Sequence, residues 1–362
     1  MSVKQVLRVT ALGALVTTAA CGVASSTTAS ADAGVKLTAE LPVDSGAEVL
    51  TFPIEAAAPL PRRPDAAGHG PYPIVLMHGM GGFNKLENLP VTVSYFNGVQ
   101  ADLAAHGETD VFLTIAPPYN TSEVRAAAIA PQLDAILKQT GAAKLNLIGH
   151  SQGGLDARIL VSPNGLGYGD RVASVTTIAT PHRGTAVADL ALGLTSGPAS
   201  SVVSGVSNTF LSLLEDGVYS IQSNPDLLAQ ANEMSTSYMA STFNPKYVDA
   251  AGVTYASYAG RTDLQNGRDD CTAALYDNDP SALDVAQPEL EPTASYLASL
   301  GETNDGLVAV PSAKWGTFMQ CVPADHLKEC GMLFQNGPDS VSGFDHLVFF
   351  RAVVARLRAQ GF

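Results

Sequence analysis

The sequence predicts an α/β fold: a mostly parallel central sheet, helices on both faces and a helical insertion. Three observations carry this. Apolar runs such as Ile74-Val75-Leu76-Met77 and Leu145-Asn146-Leu147-Ile148 read as buried strands. Segments whose apolar residues recur at helical spacing lie between them. The resulting order of strand, helix, strand, helix needs right-handed crossovers, which make neighbouring strands parallel.

Taken in order, Pro73 to Met77 is a buried strand running into a Gly-rich turn, His78 to Gly82. Val99 to Ala105 reads as helix and Asp110 to Thr114 as the second strand. Thr121 opens a helix in which Ile129, Leu133, Ile136 and Leu137 recur at helical spacing. The full capping box is missing there, but Glu123 suits the positive end of the first turn. Leu145 to Ile148 is the third strand, Leu155 to Val161 a helix, and Val172 to Ile178 a strand.

Residues 190–250 change character, with much Ser, Gly, Ala and Leu and little strand signal. They read as a helical cap or lid, with an apolar edge at Phe210, Leu211, Leu213 and Leu214. Val253 to Tyr258 is a further strand, and residues 262–304 read as loop-rich and acidic. Leu307 to Val310 is an apolar run after Asp305-Gly306. Phe344 to Leu357 is an amphipathic helix with Arg351, Arg356 and Arg358 toward its negative end. No internal repeat or composition break argues for a second independent domain.

The N-terminus has a different logic. Lys4 and Arg8 precede a short apolar stretch from Val9 to Ala20, the pattern of a secretory signal over residues 1–20. A Ser/Thr/Ala-rich tether, residues 21–34, follows, and residues 35–362 read as the folded domain. Two exits from the signal compete. One is a cut near Ala29-Ser30-Ala31; the other precedes Cys21, which would then carry a lipid anchor. The chain therefore reads as exported from a bacterium, either secreted or as a membrane-anchored lipoprotein.

Composition narrows the partners. The 362 residues are 46% hydrophobic and 15% charged, too apolar for disorder. With 34 acidic against 20 basic side chains the net charge is −14, which disfavours nucleic acid and anionic membrane surfaces. Four cysteines are too few for a disulfide-dense scaffold. Export leaves Cys271, Cys321 and Cys330 to form one bridge and one leftover thiol.

The chemistry centres on Gly149-His150-Ser151-Gln152-Gly153. An apolar strand precedes this G-x-S-x-G string and a helix follows, the setting that a nucleophile elbow requires. The serine of such an elbow sits in a strained turn, so its neighbours must lack side chains, which Gly149, Gly153 and Gly154 supply. The competing reading is a Gly-rich phosphate-binding turn, but no Lys follows and the surroundings are apolar. The turn His78-Gly79-Met80-Gly81-Gly82 follows the first strand, where such hydrolases place one oxyanion donor. The backbone N–H groups of Met80 and Gln152 are the assigned donors. His78 reads as a brace for the loop rather than a proton carrier.

A serine nucleophile needs a base, and the base an orienting carboxylate, in the chain order Ser, Asp, His. Asp305 is the candidate acid. Two histidines follow it in the same Asp-His-Leu surroundings, His326 and His346, and the residues alone do not separate them.

These segments together resemble the bacterial true-lipase family of secreted α/β-hydrolases. The resemblance runs through HGMGGF (His78 to Phe83), Tyr95 to Val99, Asn120 to Arg125 and LNLIGHSQGGLDAR (Leu145 to Arg158). It continues through ATPHRGTAVAD (Ala179 to Asp189) and NDGLV (Asn304 to Val308). It implies the α/β-hydrolase fold, the roles given to Ser151, Asp305, Met80 and Gln152, and His326 as the base, because His326-Leu327-Lys328-Glu329 matches the family's His-Leu-x-Glu stretch.

The same resemblance implies a calcium site with one aspartate upstream of the acid and another two residues after the histidine. Asp284 fits the first position, but the second holds Lys328, whose ammonium cannot ligate a hard cation. The expectation is that calcium is not needed and that Lys328 pairs with Asp284 in its place. Cys330 falls where the family tends to have an aliphatic residue, which suggests a buried thiol; Cys271 is paired with Cys321 on that basis, with Cys321–Cys330 as the alternative bridge.

The implied reaction is ester hydrolysis through an acyl-enzyme, without an organic cofactor. The substrate would be a lipid or other ester, met at an oil–water interface through the lid, and the protein a monomer. The resemblance makes triacylglycerol the first choice of substrate. A carboxylesterase or acyltransferase on the same machinery is the alternative, and a non-catalytic surface lipoprotein the remote one. The sequence says nothing for or against a dedicated foldase.

Overall fold

The computed structural model describes residues 71–82, 95–193, 225–262, 286–332 and 337–362. The signal and tether, Cys21, Cys271, Asp284 and the apolar edge Phe210 to Leu214 lie outside them. A six-stranded sheet organises the described chain: β1 (Ile74–Met77), β2 (Val111–Leu113), β3 (Leu145–His150), β4 (Val172–Ile178), β5 (Thr254–Gly260) and β6 (Thr317–Val322). Their spatial order is β2-β1-β3-β4-β5-β6, and every neighbouring pair is parallel.

Alternation along β1 divides the core. Val75 and Met77 point into one apolar cluster and Ile74 and Leu76 into the other. The first cluster is completed by α2 (Ser122–Thr140) and α3 (Gln152–Val161). The second is completed by α1 (Val99–Ala105) and by the last helix of the chain, His346–Ala359. That last helix buries Phe349, Phe350, Val353, Val354 and Leu357, each stabilising the fold by about 1.5–3 kcal/mol. Both faces of the sheet are thus covered, which explains why the strands read as apolar runs rather than as alternating ones.

Local signals set the helix ends. The Thr121 hydroxyl accepts from Val124 N, and Gly141 closes α2 in the left-handed conformation at φ 69°. The Asp345 carboxylate accepts from Leu347 N and Val348 N, so the last helix starts at His346 rather than at Phe344.

The described part of residues 190–250 is helical: α4 (Ala186–Ala191) leads into it, α5 (Pro225–Glu233) follows, and short helical turns continue to Lys246. The 262–304 stretch departs from expectation, because Glu291–Ser299 forms a helix, α6, rather than loop. Pro292 lies in its first turn, where no intrahelical bond is lost, and Thr293, Ala294 and Leu297 face inward. Strand β6 is also new, since its mixed burial gives no apolar run to read. With the last helix as α7, the described chain holds no helix long and apolar enough to cross a membrane.

Candidate active site

All the pieces of the site lie at the carboxyl ends of the parallel strands, where such sheets bind ligands. Ser151 follows β3 directly and takes φ 55° and ψ −131°, a strained conformation for a residue with a Cβ. Three bonds impose it: Ser151 N donates to Ile178 O at 2.9 Å, while Ser151 O accepts from Gly154 N at 3.0 Å and Thr180 Oγ1 at 2.8 Å. The turn tolerates no side chain at Gly149, where a Cβ would stand 2.5 Å from Gly154 N. Ser151 is 8% exposed, nearly covered but reachable.

The His78–Gly82 turn after β1 comes against this serine. A Cβ on Gly79 would stand 2.6 Å from Ser151 Cβ, so glycine permits the approach. His78 braces the turn from within. Its Nδ1–H donates to Gly79 O at 2.9 Å and its Nε2 accepts from Ala116 N at 3.1 Å. Burial, with the Arg125 charge beside it, lowers its pKa to about 3, so the ring is neutral and unsuited to carrying a proton. Met80 is half-buried in the same turn and packs on the core.

Asp305 and His326 are both buried. His326 Nδ1 donates to Asp305 Oδ2 at 2.8 Å, and His326 N donates to Asp305 O at 2.9 Å. Asp305 Oδ1 accepts from Leu307 N at 2.9 Å and Val308 N at 2.7 Å, which fixes the carboxylate. His150, the residue before Ser151, has its ring 4.6 Å from that of His326, so the Asp305–His326 pair lies alongside the serine turn.

His346 lies elsewhere. Its Nε2–H donates to Asn97 O at 2.7 Å, and it packs against Gly331. The repeated Asp-His-Leu pattern has a local cause. Asp325 accepts from Leu327 N and Lys328 N, as Asp345 does from Leu347 N and Val348 N, so each aspartate caps a turn.

Three buried networks escaped sequence reasoning. Arg125 Nε donates to Asp156 Oδ2 at 2.9 Å, while its other nitrogens donate to His78 O and Pro117 O, each at 2.6 Å. It was findable, since Arg125 falls on the apolar face of α2 with Ala126, Ile129 and Leu133. In the second, Tyr95 O–H donates to His150 Nδ1 at 2.6 Å and His150 Nε2–H to Glu329 Oε2 at 2.9 Å. Burial, with His326 near, keeps the His150 pKa well down, hence the neutral ring. The third joins Gln152 to α5. Gln230 Nε2 donates to Gln152 Oε1 at 2.6 Å, and Glu233 Oε2 accepts from Ser122 N at 2.6 Å.

Lys328 points its ammonium at Asp339 Oδ2, 3.1 Å away, and at Asp325 Oδ2, 3.9 Å away. The Lys328 ammonium is itself a cation with no lone pair to offer, so this side chain cannot ligate calcium. Asp284, its expected partner, lies outside the described residues. Cys330 is buried with a free thiol.

The α/β hydrolase fold family matches residues 72–199. The chain is 30% identical to a triacylglycerol lipase of Burkholderia plantarii over 357 residues, covering 88% of this chain and 93% of the relative. It is 32% identical to a triacylglycerol lipase of Vibrio cholerae over 310 residues, covering 80% and 88%. The mature lipase of Bacillus licheniformis superposes with a TM-score of 0.54 at 21% identity, over 82% of this chain and 94% of that one. The Staphylococcus hyicus lipase gives 0.55 at 16% identity, over 83% and 98%. At such identities these two structures share a fold with the chain.

Proposed function

The chain belongs to the bacterial triacylglycerol lipase family of α/β-hydrolases, carboxylic ester hydrolases, and from that premise we propose a Ser151-His326-Asp305 triad acting on triacylglycerol. The 2.8 Å bond from His326 to Asp305, beside the strained Ser151, carries this reading. Ser151 Oγ attacks the ester carbonyl as His326 Nε2 takes its proton. Asp305 holds the ring in the Nδ1–H tautomer and stabilises the imidazolium. The N–H groups of Met80 and Gln152 receive the oxyanion, and α3 adds its positive end. The imidazolium protonates the departing alcohol, and water then attacks the acyl-enzyme by the same route.

Residues 1–20 direct export in this reading, residues 21–34 tether a catalytic domain of residues 35–362, and residues 190–250 cover the acyl site. Cys21 is the anchor if the cut precedes it. Cys271 and Cys321 form the bridge in this reading, which the free, buried thiol of Cys330 supports. Catalysis needs no calcium, a reading that Lys328 supports.

The test is a chain-length series of p-nitrophenyl esters with emulsified triglycerides, run on wild type, Ser151→Ala, His326→Ala and His346→Ala. Loss in the first two variants and retention in the third are expected. Activity kept by His326→Ala and lost by His346→Ala would overturn the base assignment.

A further inference from the structure

Helix α5 carries two buried polar side chains one turn apart, Gln230 and Glu233. Neither serves the cap alone. Besides its 2.6 Å bond to Gln152 Oε1, Gln230 Nε2 donates to Pro118 O at 3.2 Å. That same carbonyl accepts from Gly81 N at 2.9 Å, so it anchors the turn that carries Met80. Glu233 Oε2 takes the first N–H of α2, from Ser122, where the positive end of a 19-residue helix favours an acceptor. Gln152 closes the circuit, since its Nε2 donates to Asn120 O at 2.9 Å and to Ser122 Oγ at 3.3 Å. Residues 118–122 are therefore held between α5 and Gln152.

We propose that Gln230 and Glu233 are positioning residues that clamp the oxyanion pocket, so that docking of α5 sets the aim of its two N–H donors. The proposal rests on the assignment of Met80 and Gln152 as those donors. The geometry reaches both. Gln230 holds the side chain of Gln152 and the carbonyl behind Gly81, and Glu233 holds the helix start against which Gln152 leans. Donors of this kind act through alignment with an oxygen that moves during reaction, so a small displacement costs rate rather than binding. Behind Ser122 the Arg125–Asp156 pair grips His78 O and Pro117 O, giving the same turn a second support.

The test uses the full chain with Gln230→Ala, Glu233→Ala, Glu233→Gln and Ser151→Ala. Three quantities are read: kcat and KM on a soluble p-nitrophenyl ester, the rate of labelling by a fluorophosphonate, and the melting curve. The expected result is a loss of about tenfold in kcat and labelling rate for Gln230→Ala, with KM within twofold. Glu233→Gln, which keeps an acceptor for Ser122 N, should recover most of what Glu233→Ala loses. Variants that stay folded with wild-type kcat and labelling would overturn the clamp, as would a loss confined to KM. Ser151→Ala separates the premises: activity surviving there sinks the catalytic assignment, whereas its loss with normal Gln230 and Glu233 variants sinks only the clamp.

Discussion

His326 is tied to Asp305 twice, through the ring at 2.8 Å and through its backbone N–H to Asp305 O at 2.9 Å. The second bond holds the two loops together whatever the side chains do. The first fixes which ring nitrogen carries hydrogen, leaving Nε2 as the acceptor a base requires.

Asp305→Asn therefore separates placement from chemistry. The asparagine keeps an oxygen for Leu307 N and Val308 N, so the fold should stand, with melting close to wild type. Its amide donates to His326 Nδ1 and imposes the wrong tautomer. The expected loss in kcat is about 10⁴-fold. Single-turnover ester kinetics beside a thermal melt check it, and a loss below tenfold would sink the assigned role.

Much of this was legible in the sequence, for reasons of spacing. Strands buried on both faces need not alternate, so β1 could be placed from its unbroken apolar run and β3 and β4 from short runs rich in Leu, Ile, Val and Thr. The serine elbow was legible because its strain demands glycines at fixed positions. The choice between His326 and His346 was not legible from the residues themselves. Both follow an aspartate that caps a turn, and the local pattern reports the cap rather than what the ring faces. Resemblance favoured His326, and the structure sets that ring, not His346, against Asp305. Glu233 and Gln230 were illegible because a polar residue on a short helix looks like solvent-facing surface until its partners, far earlier in the chain at Pro118, Ser122 and Gln152, are known.

Burial raises the Glu233 carboxyl to about 7, from an ordinary value of 4.5. A folded-state pKa above the unfolded one means that ionising the group opposes folding. The stabilisation is complete below pH 4.5, is lost as pH rises toward 7, and changes little beyond. Wild type should thus lose melting temperature across that window, and Glu233→Gln should lose less of it. Differential scanning calorimetry at pH 5 and pH 8 makes the comparison. Equal pH dependence in the two proteins would remove Glu233 as the source.

Asp156 faces Arg125 with both side chains fully buried. Replacing one partner of such a pair leaves the other charge without compensation, at a cost of about 3–5 kcal/mol. Asp156→Leu should destabilise by that amount in urea. Because Arg125 also holds His78 O, the surviving folded protein should lose kcat as well. Replacing both partners together, Arg125→Met with Asp156→Leu, should recover part of the stability but not the rate, because His78 O and Pro117 O lose their donor. Full recovery of rate in the double variant would show that the pair does not support the oxyanion turn.

Lys328 stands 3.1 Å from Asp339 Oδ2, and its side chain is 9% exposed, so solvent screens the pair only in part. The pair joins the turn after His326 to the segment leading into α7. Lys328→Met should therefore lower stability by about 1.5–3 kcal/mol, the range for a hydrogen bond to a charged group, while kcat below the new melting transition stays near wild type. The wild-type protein should show the same activity and melting temperature with and without excess chelator, because the ammonium already supplies positive charge to these aspartates. Added calcium should leave both unchanged. A melting temperature that falls with chelator and returns with calcium would mean that a metal shares this loop with Lys328, and the metal-free reading would have to be abandoned.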